Sequence, residues 1–190
     1  SSLWANTRLG MEQAAGDLGA ELRFLTPGAD NDREEQKELL RREVERGTDA
    51  LVLAPVDPAD LGAEWETLTR GTPTVTLESE LPEAVALITP DNEALGWALA
   101  RRALEEYRGG TVLLLDCLPE NTGVRARVEA AEAALIRGGA TVLRWSETGE
   151  EELIRLDEEG ALAQVVALEI GATEAAAQAK ERAGSSAALY

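Results

Sequence analysis

Residues 47–61 read GTDALVLAPVDPADL, and the order of residue types in them decides the fold. Ala50 to Ala54 make a short apolar run of the kind buried on both faces of a parallel sheet. Pro55 ends the run, because proline brings no amide hydrogen to a strand ladder. Asp57 then stands as an N-cap with Pro58 in the first turn, opening a helix whose inner side is Leu61, Trp65 and Leu68. Strand, sharp loop and helix start follow one another directly. In open parallel sheets, ligands collect at such strand C-terminal ends.

The same alternation extends in both directions. Upstream, Met11, Ala14, Ala15 and Leu18 lie at helical spacing before Gly19, and Glu21 to Leu25 reads as a strand. Residues 1–4, SSLW, read as a strand-to-helix loop ahead of that first helix. Asn31 or Asp32 caps a charged helix with Leu39, Leu40 and Val44 inside. Downstream, strands are expected at Thr74 to Leu77 and Ala84 to Ile88. Asp91 caps a helix carrying Leu95, Leu99 and Ala103. The most apolar run, Thr111 to Leu115, precedes a helix with Val124, Val128, Ala131 and Leu135 on one side. A strand at Thr141 to Trp145, a short helix around Leu153, a strand at Val165 to Leu168, an alanine-rich helix and a last apolar segment complete the order. Regular alternation of this kind predicts an α/β fold with parallel sheets. A proline loop at Thr89 to Asn92 divides it into lobes at 1–90 and 91–190.

Composition narrows the function. The 190 residues suit two lobes, and 44% hydrophobic content supplies their cores. Lys and Arg number 18 against 36 Asp and Glu, a net charge of −18. That charge repels phosphate backbones and anionic lipid, which argues against nucleic acid as a partner. The single Cys117 excludes an internal disulfide and any cysteine metal cluster, and the sequence has no histidine, the commonest general base and metal ligand. No glycine-rich nucleotide loop or nucleophile elbow is present, so neither a cofactor nor a catalytic residue is expected.

Five segments, GMEQAAGDLGAELRFLTP, EEQKELLRREVERGTDALVLAPVDPADL, GTPTVTLESE, ITPDNEALGWALARRALEE and GTVLLLDCLPENTGVRARVEAAEAAL, stand in an order that resembles the type I periplasmic sugar-binding proteins, the ribose- and galactose-binding group. LacI-type sensing domains share that layout. The resemblance implies two Rossmann-like lobes closing over a ligand. Measured against the family pattern, the chain is expected to lack the first strand of the first lobe and the final portion with the third crossover.

The resemblance also assigns candidate site residues. Trp4, with Leu3 beside it, stands where family aromatics stack on the sugar ring. Glu78 takes the place of a family aspartate and can accept hydroxyl hydrogens; strand alternation puts Glu80 on the same side. Arg125 aligns with an arginine that forks onto sugar oxygens, Asn121 lies in the same loop, and Arg127 aligns with a second arginine of structural role. Glu169 replaces half of an Asn-Asp pair. Asp91 and Asn92 match the crossover pair, as hinge caps. Ala54, Ser79 and Ile170 depart from the monosaccharide pattern, and the extra carboxylates point to an amino sugar, a cationic small molecule or a larger glycan.

The function expected is extracytoplasmic capture of a small carbohydrate-like solute for uptake through a membrane permease. The alternative is ligand sensing as part of a sensor kinase or a LacI-type regulator. Unpaired strand edges would let two copies form a homodimer.

Overall fold

A computed structural model describes residues 2–29, 31–145 and 150–190. The order is α1 (Ser2–Leu18), α2 (Arg33–Glu45), β1 (Leu51–Leu53), α3 (Pro58–Thr69), β2 (Thr74–Leu77), β3 (Ala86–Ile88), α4 (Asn92–Glu106), β4 (Thr111–Leu115), α5 (Thr122–Arg137), β5 (Thr141–Trp145), α6 (Glu150–Glu158), β6 (Leu162–Ala167), α7 (Ile170–Ala183) and β7 (Ala188–Leu189). All pairings are parallel, in one sheet of order β1-β2-β3 and a second of order β5-β4-β6-β7. The chain is therefore an α/β protein with two parallel sheets, one for each lobe, and its alternation predicts the α/β class and the parallel pairing.

The second lobe is a three-layer sandwich. Alternate residues of β4 serve opposite faces: Val112 and Leu114 pack under α4 and α5, Leu113 and Leu115 under α6 and α7. All four are essentially buried, which is what a central parallel strand requires. At the crossing of α4 and α5, a Cβ on Gly96 would fall inside van der Waals contact with the Arg127 carbonyl. Glycine there lets the two helices approach.

The first lobe is covered on one face. Leu40 of α2, Leu53 of β1 and Leu61, Trp65 and Leu68 of α3 form its core. The DPADL turn folds as read: Asp57 accepts from the amides of Ala59 and Asp60, with Pro58 in the first turn. The inner side of α2 is less apolar than its leucines suggest. Gln36, Lys37 and Glu43 are buried beside Leu40. Lys37 bonds Asp60 and Glu64 of α3 at 2.7 and 2.9 Å, and Glu34 of its own helix at 3.3 Å. These carboxylates hold its ammonium well above the ordinary lysine range, and Lys37 in turn lowers Glu64.

Three expectations are corrected here. Glu21 to Leu25 forms no strand; no described strand lies beside these residues, and extended backbone without a ladder partner is not a strand. Residues 2–4 open a helix rather than a loop, since no proline interrupts the run up to Leu18. Burial on both faces fails at β1, where Val52 is 52% exposed. The cause is packing: among the described residues α1 makes no extensive contact with any other element, so it does not cover that face of the sheet.

Candidate functional site

The strand-to-helix loops of both lobes meet where β2 ends and α5 begins. Glu78 adopts a left-handed backbone, φ 65°, just past β2. Its carbonyl sits against Gly123, where any Cβ would clash with it. Ser79 is fully buried, and its hydroxyl oxygen accepts from the Thr122 amide at 3.2 Å. The Thr122 hydroxyl oxygen accepts in turn from the Glu80 amide at 2.7 Å. Ser79 thus satisfies one of the orphan amides at the start of α5.

Behind this junction, Arg127 spans the lobes. Its Nη2 bonds Glu78 Oε2 at 2.6 Å, its Nε donates to Asn92 Oδ1, and its Nη1 reaches the Leu168 carbonyl at 3.4 Å. Asn92 is buried and also donates to Thr89 Oγ1 at 2.8 Å. Asp91 accepts from the Ala94 amide at 2.9 Å, capping α4. The two residues expected at the hinge lie where the chain passes from β3 to α4; Asn92 bonds the arginine that ties the lobes, and Asp91 caps the helix.

Two cavities border the junction. The larger, about 560 Å³, is lined by Asp57, Pro58, Ala59, Glu80 and Pro82 from the first lobe and by Pro119, Glu120, Thr122 and Arg125 from the second. The smaller, about 280 Å³, is lined by Trp4, Thr7, Leu77, Glu78, Ile88, Thr89 and Pro90. Of the residues expected on the ligand, Trp4 and Glu78 share the smaller cavity while Arg125 lines the larger. Glu78 and Glu80 part company, because the left-handed turn at Glu78 breaks the alternation that would place them on one side. Asn121 accepts from the Val124 amide at 2.9 Å as N-cap of α5. Glu169 caps α7, accepting from the Gly171 and Ala172 amides. The side chains of Leu3 and Ile170 lie outside the described residues.

Sequence reasoning passed over Glu120 and Arg33 as site residues, and named Glu80 only as a neighbour of Glu78. Arg33 Nη1 bonds Asp57 Oδ2 at 2.7 Å and its Nη2 meets Glu120 Oε1 at 3.4 Å. The capping role of Asp57 was readable, but nothing local pointed from it to Arg33 or Glu120. The larger cavity offers oxygen acceptors on the first lobe and a guanidinium with a hydroxyl on the second, the complement of a polyhydroxylated molecule. Among the described residues, no group of acidic, cysteine or histidine side chains is placed to hold a metal ion, and no helix is long and apolar enough to cross a membrane. Burial, with the charges of Glu169 and Asp116, pushes the Cys117 thiol up to about 11.

The profile of the periplasmic binding protein domain matches residues 1–187. Among solved structures, the periplasmic component of an ABC-type sugar transport system from Hahella chejuensis superposes with a TM-score of 0.83 at 23% identity, covering 97% of this chain and 72% of that one. GanP, a glucose-galactose binding protein from Geobacillus stearothermophilus, gives 0.83 at 18% identity, with 96% and 69% covered. An ABC transporter solute binding protein from Agrobacterium vitis, bound with alpha-D-tagatopyranose, gives 0.83 at 19% identity, with 97% and 69% covered. These likenesses establish the fold. No curated protein sequence matches the chain.

Proposed function

The chain belongs to the periplasmic binding protein domain family, and on that premise we propose that it captures a small carbohydrate-like solute between two lobes, residues 1–90 and 91–190, for uptake by a transporter. The observation that carries this reading is the 560 Å³ cavity walled by both lobes. Its volume lies within the range of small-molecule sites, roughly 300–1,000 Å³. Glu80 would accept hydroxyl hydrogens, and Arg125 and Thr122 would donate to ring and hydroxyl oxygens. Asn121, by capping α5, holds the turn that carries both donors. Trp4 and Glu78 line the separate, smaller cavity and take no part in this one, and Glu169 caps the start of α7.

Structural neighbours that include a glucose-galactose binding protein and a tagatose complex support a sugar as the ligand class. Membership of the periplasmic binding protein domain family supports an extracytoplasmic setting, and the ABC-transport neighbours support a permease as the partner that reads the closed form. The open edge and face at Val52 support pairing of two copies, which light scattering would detect.

A thermal-shift panel of D-glucose, D-galactose, D-tagatose, D-ribose and D-glucosamine tests the reading. A ligand at a hundred times its Kd adds about 2.7 kcal/mol, an upward shift of about 5–10 °C for a chain of this size. D-glucosamine alone shifting the transition would favour the amino-sugar expectation. No shift with any of them, at millimolar concentration, would count against solute capture.

A further inference from the structure

We propose that Arg33 is a strap across the mouth of the inter-lobe cavity, and that its bond to Glu120 sets how readily the lobes part. Arg33 stands at the start of α2 in the first lobe, while Glu120 lies in the loop before α5 in the second. Asp57 and Glu120 both line the cavity, one from each lobe, and the Arg33 guanidinium joins them.

The two arms of the strap differ in kind. The Asp57 side chain is only 11% exposed; one oxygen caps α3 and the other takes Arg33 Nη1 at 2.7 Å. That arm anchors the guanidinium to the first lobe. The Glu120 arm is longer, 3.4 Å, and both Glu120 and Arg33 are close to half-exposed. A planar guanidinium presents its second nitrogen in a fixed direction once the first is held. Arg33 therefore stays with the first lobe and offers a preset donor to the second. The Arg127 network, by contrast, ties the lobes at the chain crossover, where they need not separate.

An exposed pair of this kind is weak and screened by salt. It shifts the ratio of closed to open molecules by about two- to fivefold, enough to set an escape rate without locking the ligand in. The consequence for retention rests on the reading of this cavity as the ligand site; the opening itself does not.

The test measures opening without ligand. Nitroxide labels on cysteines replacing exposed Glu38 of α2 and Glu129 of α5, in a Cys117→Ala background, report inter-lobe distance by pulsed electron resonance. Glu120→Gln weakens the inter-lobe arm alone and, at a surface position, leaves folding intact. At low salt, Glu120→Gln and Arg33→Ala should each enlarge the long-distance population about two- to fivefold. The double variant should add nothing further, and 0.5 M salt should bring the parent to the same distribution. An unchanged distribution in both single variants, or simple addition of their effects, overturns the strap. With D-galactose as probe, faster release from Glu120→Gln extends it to retention. A strap that responds while no sugar binds would overturn the assignment of the cavity instead.

Discussion

Arg127 of α5 bonds Glu78 at 2.6 Å, so a helix of the second lobe is tied to the residue just past β2 in the first. The side chains are 16% and 29% exposed, and the same guanidinium serves Asn92 and the Leu168 carbonyl. Removing one partner of a pair this enclosed leaves the other charge poorly solvated. Arg127→Ala is expected to lower stability by about 3 kcal/mol. Arg127→Lys should recover only part of it, since an ammonium cannot address three acceptors in one plane. Urea denaturation of the three proteins checks this order.

Gly96 makes a prediction in which two effects compete. Alanine is the better helix former by about 1 kcal/mol. Here its methyl would meet the Arg127 carbonyl across the α4–α5 crossing, and overpacking at a rigid helix contact costs about 1–3 kcal/mol. Gly96→Ala should therefore destabilise, by chemical denaturation, whereas propensity alone forecasts a gain.

The buried Lys37 couples α2 to α3 in a pH-dependent way. Its pKa is raised, first by Asp60 and then by Glu64, so its contribution is full below the ordinary lysine value of 10.5 and fades as pH rises through the higher folded value. Glu64 is lowered by Lys37, so its contribution is full above the ordinary 4.5 and is lost as pH falls through the lower folded value. Lys37→Met should melt below the parent at pH 7, and the gap between them should narrow in acid. A gap independent of pH would contradict the ionic account.

Cys117 should be a slow thiol. With the pKa raised from 9.0 to about 11, its thiolate fraction at pH 8 falls about a hundredfold. The more basic thiolate is also the better nucleophile, so reaction with a disulfide reagent should be about tenfold slower than for a peptide cysteine, and should accelerate in urea.

Legibility in the sequence followed packing. The βα unit at residues 47–61 and the run at Thr111 to Leu115 were readable because proline, the aspartate cap and continuous apolar residues act locally. Glu21 to Leu25 misled, since strand-like composition says nothing about whether a neighbour exists to complete the ladder. Val52 misled for the same reason one layer out. At the site, the structural role of Arg127 followed from the family resemblance, and its bonds to Glu78 and Asn92 agree with it. The separation of Glu78 from Glu80 was not legible, because a single left-handed residue redirects the chain after β2. Arg33 and Glu120 carried no local signal; two ordinary surface charges become partners only when the lobes face each other.

The central claim is that the cavity between the lobes holds the solute, with Arg125 as its donor. Calorimetric titration of D-galactose, D-glucose, D-tagatose and D-glucosamine into the parent and into Arg125→Ala tests it most directly. Saturable binding of at least one of them, weakened about tenfold or more without that guanidinium, is the result predicted. Affinity unchanged in Arg125→Ala, or no binding by the parent to any of the four, would contradict it.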